Sequence, residues 1–467
     1  MSERRTNPRP GRERGVRVVP LAAALLLAGS ACAPPAPELL ILITVDTLRA
    51  DHLGAYGDPR GLTPRLDALA AESLVFDAAY APASFTLPSI AAILSGRYPE
   101  ELGIRNNHAV LGEAVPTLAS RLAERGWRTG AVVSNFVLRS GSGLARGFER
   151  YDDVLIRIEA GRRIPERAAS GTTDALLGAL DECRAGGGGC FLWGHYQDPH
   201  GPYTPPAGLR ERFLPGEFAR KDGRRRLPVR QGGAGFGAIP AYQHLEGRLE
   251  VGWYRAGYAA EVHQTDAEIG RFLDGVAARG LQERAAIAFA SDHGESLGED
   301  EYWFSHGALL SEVLVRVPLF LRVPGHAPAR REDLAALVDL FPTLLGLATG
   351  APAPSGHPGR DLLSEGARGA ADAVYLSALG GSPIPRYGLV VDRFKLLVSD
   401  PPGERVARLH PRGNDAVDLS EGMPNRTRSL GRQLDELRER YAGIPAAPEQ
   451  ALSATEREAL GALGYGE

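Results

Sequence analysis

Buried strands that end at a carboxylate or an imidazole are the feature that most constrains the fold of this chain. Residues 39–45 (LLILITV) are apolar or β-branched throughout, and Asp46 follows them directly. A strand without a polar face is typical of a parallel sheet that is covered by helices on both sides. Other segments have the same composition: residues 131–133, 191–194, 285–290 and 319–323.

Helical segments separate these strands. Residues 117–125 and 261–279 read as helices, and each ends before a glycine, which is common just after a helix. The alternation predicts an α/β fold with a doubly wound sheet flanked by helices. Ligands of such sheets bind beyond the carboxyl ends of the strands. The polar residues that follow the strands should therefore meet, and they are Asp46, His195, Asp292 and His293.

The hydroxyl of Thr86 completes this group. Hydrolysis of an anionic ester needs a nucleophile, positive charge near the ester oxygens and stabilisation of the leaving group. Asp46, Asp292 and His293 are ligand types for a divalent metal. Thr86 lies two residues before Pro88, which suits the first turn of a helix, and a helix N-terminus favours an anion. A helix cap or a turn explains each residue singly; together they predict a metal and nucleophile site.

Short motifs around these residues resemble those of sulfatases, whose signature reads Cys-x-Pro-Ser-Arg followed by Thr-Gly-Arg. The chain is similar to the sulfatase-like branch of the alkaline phosphatase and sulfatase superfamily from about residue 39 to residue 325, and more weakly beyond. The resemblance implies an alkaline-phosphatase-like sheet and a smaller C-terminal α+β subdomain with a short antiparallel sheet. The segments that carry it are DTLRAD (46–51), TLPS (86–89), LSGR (94–97) and SDHGE (291–295).

The chain departs from that pattern at the positions of the nucleophile and the metal ligands. Thr86 stands where the cysteine is normally converted to formylglycine, and threonine cannot be converted. Thr47 replaces a second aspartate, His293 replaces an asparagine, and Ile90 replaces the arginine that supports formylglycine. Hard oxygen ligands are lost and an imidazole is gained, so zinc or manganese is favoured over calcium. Relatives with a threonine nucleophile handle phosphate esters, phosphonates or lipid headgroups, so the resemblance implies a phosphate ester more than a sulfate ester.

Further histidines match the family's substrate contacts. His195 and His200 lie in a loop like the one that carries a leaving-group histidine, so both are assigned to catalysis, with a structural turn as the alternative. His306 occupies the place of a sulfate-binding lysine, and it is assigned to substrate binding together with Ser89; a second metal is its other role. His263 and Asp266 share one helix face, where a surface pair is favoured over a second metal site.

The N-terminus predicts export. Arginines precede an apolar stretch at residues 18–28 that is too short to span a bilayer, so residues 1–33 read as a signal peptide or lipoprotein signal. LAGSAC (27–32) resembles a lipobox that would lipidate Cys32, whereas ACA (31–33) is an ordinary cleavage site; lipidation is favoured. The proline-rich residues 34–38 then form a linker. The expected location is the periplasm or cell envelope, with a lipid anchor.

The remaining cysteines, Cys183 and Cys190, flank a glycine-rich loop. An exported protein meets oxidising conditions, so the two could form a disulfide; unpaired surface thiols are the alternative. A net charge of −4 and a pI near 6.3 give no sign of nucleic-acid binding. After residue 30 the sequence has no apolar run long enough for a membrane helix, so membrane contact is expected only through the lipid.

Residues 39–350 are predicted to form the catalytic domain and residues 351–467 the C-terminal subdomain. The latter should contain strands at residues 386–391 and 395–398 and a helix at residues 430–441. The favoured function is a metal-dependent hydrolase or transferase of a small anionic ester or headgroup. A sulfatase is the first alternative, and a catalytically silent surface-anchored binding protein is the second. The sequence leaves the oligomeric state open.

Overall fold

The computed structural model describes residue 11 and residues 37–158, 165–231, 235–245, 247–352, 356–364, 373–380 and 383–460. Apart from residue 11, the predicted export signal, including Cys32, lies outside these ranges, as do residues 34–36 of the predicted linker. Ala36–Glu467 form one compact unit. No helix within the described ranges has both the length and the apolar character that crossing a membrane requires.

The strands are β1 Leu39–Val45, β2 Leu74–Tyr80, β3 Arg128–Val133, β4 Arg150–Asp152, β5 Arg157–Ile158, β6 Pro165–Glu166, β7 Cys190–Tyr196, β8 Val229–Arg230, β9 Ile239–Pro240, β10 Ala285–Ser291, β11 Ser296–Leu297, β12 Trp303–Ser305, β13 Leu319–Arg322, β14 Ala329–Ala336, β15 Val374–Ala378, β16 Arg386–Val390, β17 Phe394–Ser399 and β18 Val406–Pro411. The α-helices are α1 Pro64–Ala71, α2 Thr86–Ser95, α3 Leu118–Ala123, α4 Ala169–Ala185, α5 Leu209–Ala219, α6 Val251–Ala278, α7 Glu312–Val315, α8 Leu340–Thr349, α9 Pro424–Tyr441 and α10 Ala454–Leu460.

An 8-stranded sheet forms the centre of the molecule, with the strand order β14-β2-β13-β10-β1-β7-β3-β4. Strand β1 pairs in parallel with both β10 and β7, and β7 continues in parallel to β3 and β4. The predicted strand at residues 319–323 is present as β13, but it runs antiparallel to β10. The sheet is therefore mixed, and β13 does not point its carboxyl end towards the site.

Alternate residues of β1 enter opposite hydrophobic cores, which explains why the strand is apolar on both faces. Leu40 and Leu42 belong to one core, which also contains residues of α2, α3 and α8. Leu39 and Ile41 belong to a second core with residues of α1, α4 and α6. Helices thus cover both faces of the sheet, and the predicted doubly wound α/β fold is confirmed.

Helix boundaries differ from the predicted ones in both directions. Helix α6 begins at Val251, ten residues before the predicted start at residue 261, because residues 251–260 are almost entirely buried and continue the same helix. Helix α3 is shorter than residues 117–125, since the Thr117 side chain caps it by accepting the Ser120 N–H.

The C-terminal residues form a 4-stranded antiparallel sheet in the order β15-β16-β17-β18, with α9 against it. The sheet contains the two predicted strands and adds one on each side. Its apolar residues share a third core with residues of β2 and α7. The predicted small antiparallel sheet is therefore confirmed. Cys183 and Cys190 form a disulfide between the end of α4 and the start of β7.

Candidate active site and metal centre

Asp46 and Asp292 meet because their strands are neighbours in register. Val45, the last residue of β1, lies opposite Ser291, the last residue of β10. The Asp292 N–H donates to the Val45 carbonyl at 3.3 Å, and the Asp46 N–H donates to the Tyr196 carbonyl at 2.9 Å. Both carboxylates are completely buried. The sheet thus places two acidic side chains side by side at the carboxyl ends of its central strands.

Each carboxylate keeps one oxygen without a partner. Asp292 Oδ1 accepts the N–H groups of Thr47 and His293 at 3.3 and 2.8 Å, and Asp46 Oδ2 accepts the Asn135 side-chain amide at 2.5 Å. Among the described residues, Asp46 Oδ1 and Asp292 Oδ2 accept no hydrogen bond. An unpaired buried carboxylate oxygen lowers the stability of the folded protein, and a bound cation commonly compensates for this loss.

The pKa values of the pair move in opposite directions. Burial alone would raise the Asp46 pKa, but the nearby histidines, His200 first, lower it overall. The Asp292 pKa is raised well above its ordinary value by burial and by the charge of Asp46. Two buried carboxylates cannot both ionise without a counter-charge. A divalent cation between them would allow both to ionise.

His195 offers a free nitrogen to this pair. Its Nδ1 lies 2.9 Å from the Thr44 hydroxyl, which also accepts the Trp193 indole N–H at 2.9 Å and lies 3.4 Å from the Gly194 carbonyl. All three contacts are satisfied when His195 Nδ1 carries the proton and the hydroxyl donates to Gly194. The Nε2 lone pair then faces Asp46 Oδ2, 3.6 Å away. This tautomer is the one that binds a metal.

His293 has the same tautomer for a simpler reason. Its Nδ1 lies 2.9 Å from the Gly294 carbonyl, which can only accept, so Nδ1 carries the proton. Its Nε2 lies 3.7 Å from Asp46 Oδ1, 3.7 Å from Asp292 Oδ2 and 3.4 Å from the Thr86 hydroxyl. Burial lowers the pKa of His293 to about 3, so the ring is neutral.

Thr86 begins α2, and its side chain is completely buried against this cluster. The next N–H, that of Leu87, donates to the Asn107 side chain at 2.8 Å, which fixes the start of the helix. An anion bound beside Thr86 would lie at a helix N-terminus, where the helix dipole favours negative charge. The structure thus places the Thr86 hydroxyl beside His293, whose Nε2 faces Asp46 and Asp292.

Donor atoms of Asp46, His195 and Asp292 all lie within 4.8 Å of one another, and all three residues are buried. Together with His293 they offer carboxylate and imidazole donors, the set that transition metals accept. The sequence assigned His195 to catalysis and not to the metal. Its position at the end of β7, next to β1, was the signal for this second role.

Thr47 and Asn135 also belong to the site; the sequence singles out Thr47 only as the replacement of a second aspartate, and it does not single out Asn135. Thr47 adopts a left-handed backbone conformation with φ of 54°, which is rare for a β-branched residue and concentrates at functional sites. Its hydroxyl is buried without a partner among the described residues. Asn135, after β3, holds Asp46 through its amide. A polar residue near a strand end was the available signal for each.

His200 and His306 form an outer group next to the cluster. The His306 ring lies 4.6 Å from the His293 ring and 4.9 Å from the His200 ring, measured between centroids. His306 Nδ1 also lies 3.4 Å from the carboxylate of Glu295, whose pKa is raised by burial. His306, which occupies the place of the family's sulfate-binding lysine, therefore lies next to the candidate metal ligands.

Other predicted residues have structural partners. The Ser89 hydroxyl donates to the Ala83 carbonyl at 2.9 Å inside the protein, so its substrate-binding role stays a prediction. The assignment of His263 and Asp266 to a helix-surface pair is wrong for Asp266, which is buried. Its carboxylate accepts the Arg65 and Leu66 N–H groups at the start of α1. That contact holds α1 against α6.

Comparison with known proteins agrees with this geometry. The family model described as Sulfatase matches residues 38–351. The chain belongs to the sulfatase family. Iduronate 2-sulfatase of Mus musculus is 26% identical over 394 residues, with 68% of this chain and 70% of the relative covered. Arylsulfatase A of Bos taurus is 29% identical over 360 residues, with coverages of 71% and 67%.

Solved structures show the same fold at lower identity. The phosphonate monoester hydrolase of Agrobacterium radiobacter superimposes with a TM-score of 0.66 at 20% identity, and the match covers 87% of this chain and 96% of that one. This sulfatase-family chain is therefore an ester hydrolase by family, with a buried Asp–His–Asp metal-site candidate.

Proposed function

We propose that this protein is a metal-dependent hydrolase in which the Thr86 hydroxyl attacks the central atom of a phosphate or phosphonate ester. The observation that carries the proposal is the position of that hydroxyl, 3.4 Å from the unprotonated Nε2 of His293. The same nitrogen lies 3.7 Å from carboxylate oxygens of Asp46 and Asp292. A hydroxyl at the edge of a cation site is the arrangement that nucleophile activation needs.

Asp46, Asp292, His293 and His195 would hold the cation, and Thr86 would complete the set. A bound divalent metal supplies positive charge for the ester oxygens and lowers the pKa of a coordinated hydroxyl. Two imidazoles among the donors favour zinc or manganese over calcium. Asn135 would keep Asp46 in place through its amide.

The outer histidines would handle the ester itself. The His306 ring lies beside the rings of His293 and His200, and it lies 6.4 Å from the Phe85 ring, measured between centroids. This position suits contact with ester oxygens and proton transfer to the leaving group. We therefore keep the predicted proton-transfer role for His200 and withdraw it from His195, because Nε2 of His195 faces Asp46.

The identity of residue 86 favours phosphorus over sulfur as the central atom. Formylglycine is an aldehyde whose hydrate carries two hydroxyls on one carbon, so an ester formed by one hydroxyl can be released by elimination, which restores the aldehyde. The single hydroxyl of Thr86 cannot do this, and its intermediate must be released by a second attack at the central atom. Metal-dependent phosphoryl transfer proceeds through such displacements.

Hydrolysis of a sulfate ester is the second candidate. Most relatives carry the name sulfatase, including the two mammalian enzymes above, and these comparisons favour sulfate more than phosphate. A catalytically silent binding protein is a third candidate, but the convergence of Asp46, Thr86, Asp292 and His293 speaks against it.

Export and lipidation of Cys32 remain part of the proposal. The Cys183–Cys190 disulfide supports an oxidising compartment. Mass spectrometry of the envelope fraction would show a lipid on Cys32; an unmodified N-terminus after Ala33 would contradict lipidation.

One assay panel separates the candidates. The purified protein, its metal content recorded, is assayed with p-nitrophenyl phosphate, bis-p-nitrophenyl phosphate, p-nitrophenyl phenylphosphonate and p-nitrophenyl sulfate. Thr86→Ala is the matched control for contaminating activity. A higher kcat/KM on a phosphorus ester supports the first candidate. Turnover of the sulfate alone would replace it with the second, and a metal-free protein without activity would favour the third.

A further inference from the structure

The backbone of the turn at residues 46–49, which follows β1, is strained at Thr47. This residue has φ of 54°, in the left-handed region that a β-branched residue rarely adopts. Such a conformation persists only where the surrounding structure fixes it. Asp46 lies at the start of the turn, so the contacts that fix Thr47 also bear on a candidate metal ligand.

Tyr258 of α6 makes two of these contacts through one oxygen. Its hydroxyl donates to the Thr47 carbonyl at 2.8 Å and accepts the Arg49 N–H at 3.0 Å. The side chain is completely buried, and burial raises the pKa of the phenol above its ordinary value, so the hydroxyl keeps its proton. A single oxygen thus binds the backbone on both sides of Leu48.

The neighbouring strand end binds a different part of the turn. The Leu48 N–H donates at 3.0 Å to the hydroxyl of Ser291, the last residue of β10. The Thr47 carbonyl and the Arg49 N–H bond to Tyr258 instead. Helix α6 therefore supplies contacts to the turn that β10 does not supply.

Thr47 connects the Tyr258 hydroxyl to both candidate carboxylates. Its N–H donates to Asp292 Oδ1 at 3.3 Å, whereas its carbonyl accepts from Tyr258. If Thr47 relaxed to a negative φ, the peptide that joins it to Asp46 would rotate and Asp292 would lose an N–H donor. The orientation of both carboxylates therefore depends on the left-handed turn.

We propose that Tyr258 is a positioning residue for the metal centre, and that its hydroxyl holds the Thr47 turn and thereby the carboxylates of Asp46 and Asp292. The inference rests on the proposed function, because it concerns the cation that these carboxylates would hold. Partners behind a metal ligand fix its orientation, and their loss commonly lowers metal affinity by about 10- to 100-fold. Tyr258 acts through Thr47 and is not itself a ligand.

Metal binding to the whole protein tests this role without an activity assay. The metal-free wild type and Tyr258→Phe are each titrated with Zn²⁺ against a competing chelator dye, at a temperature where both proteins are folded. Phenylalanine keeps the ring and removes only the hydroxyl. We expect the Kd for Zn²⁺ to rise by about tenfold or more in the variant.

Tyr254→Phe is the matched control on the same helix. Tyr254 lies one turn earlier in α6 and is equally buried, and its hydroxyl also donates to a backbone carbonyl, that of Arg248, at 2.9 Å. It also accepts a backbone N–H, that of Leu245, at 3.4 Å. Because neither partner belongs to the turn at residues 46–49, this variant should bind Zn²⁺ as the wild type does.

The titrations separate failure of the positioning role from failure of the proposed function. An unchanged Kd in Tyr258→Phe, or an equal loss of affinity in Tyr254→Phe, would overturn the positioning role and leave the proposed function standing. A wild-type protein that binds neither Zn²⁺ nor Mn²⁺ would overturn the proposed function, and the positioning role with it.

Thr47→Gly keeps the test decisive if Tyr258→Phe folds poorly. Glycine adopts a φ near 54° without strain, so the turn then depends less on the Tyr258 hydroxyl. Adding Thr47→Gly to Tyr258→Phe should restore folding, or part of the lost melting temperature. A double variant no more stable than Tyr258→Phe would show that the hydroxyl does not hold a strained turn, and would overturn the proposal.

Discussion

At the scale of single residues, the site combines two buried carboxylates with two imidazoles that both present a lone pair. The protons on Nδ1 of His293 and His195 follow from their partners, the Gly294 carbonyl and the Thr44 hydroxyl. This arrangement leaves Nε2 of each ring facing Asp46. Fixed tautomers of this kind orient metal ligands before the metal binds.

Removal of one carboxylate should therefore remove the metal. Asp292→Asn keeps the shape of the side chain but loses the negative charge that a divalent cation needs. We expect elemental analysis to find a zinc or manganese content well below that of the wild type. Equal metal content in both proteins, or calcium alone in the wild type, would contradict the assignment.

Glu100, which follows α2, is buried, and burial raises its pKa to about 7, which predicts a pH dependence of stability. The folded protein holds this proton up to about pH 7, whereas the unfolded chain loses it near pH 4.5. The folded state binds more protons between these values, so stability falls as the pH rises. Glu100→Gln should be more stable than the wild type by about 3 kcal/mol at pH 8, and the gain should shrink as the pH falls towards 4.5. Urea unfolding at several pH values measures it. A loss of stability at pH 8 would contradict the account.

At the scale of elements, the sequence predicts best where a strand is buried on both faces. Segments 39–45 and 285–290 are apolar or β-branched throughout, so their composition alone identifies central strands. Strands β2 and β14, at one side of the sheet, were not predicted, because Asp77 and the charged start of β14 break the apolar pattern. The antiparallel direction of β13 also could not be predicted, since strand composition does not record direction.

The residues of the candidate site likewise divide into those that the sequence predicts and those that it does not. Asp46, Thr86, Asp292 and His293 stand in motifs, and motif order was enough to bring them together. The ligand position of His195 and the support from Asn135 depend on which strands are neighbours. Strand order is a property of the fold, so the sequence predicts these residues as polar strand ends without assigning their contacts.

A buried lysine joins the C-terminal sheet to the part of the chain that contains the candidate active site. Lys395 of β17 is completely buried, and its Nζ lies 2.9 Å from Glu312 of α7 and 2.7 Å from Asp415. Lys395→Met would leave two acidic groups without their partner, which should cost about 3 kcal/mol of unfolding free energy. Chemical denaturation measures this loss. The double variant Lys395→Met with Glu312→Gln should regain part of the lost stability. A Lys395→Met protein as stable as the wild type would show that the ion pair is unimportant.

At the scale of the whole molecule, the C-terminal sheet and the catalytic body share one hydrophobic core. Tyr80 and Leu314 belong to the same cluster as Val374, Leu376 and Leu396. The C-terminal sheet therefore completes a hydrophobic core that begins in the catalytic part of the chain.

Truncation at Pro352 should consequently prevent stable folding, because it exposes the catalytic side of this core. We expect insoluble protein, or soluble aggregates in size-exclusion chromatography. The metal ligands all precede residue 352, so the failure would be one of folding and not of ligand loss. A truncated protein that is soluble, monomeric and fully active would contradict this expectation.

The central claim is that Thr86 is the nucleophile, and the most direct test is the turnover of Thr86→Ala beside Thr86→Ser. Loss of the hydroxyl should lower kcat by about three orders of magnitude or more, whereas serine should retain part of the activity. The melting temperature and metal content of each variant serve as controls. If Thr86 only begins a helix, Thr86→Ala should cost about 1 kcal/mol of stability and leave kcat unchanged. A fully active Thr86→Ala protein would contradict the account.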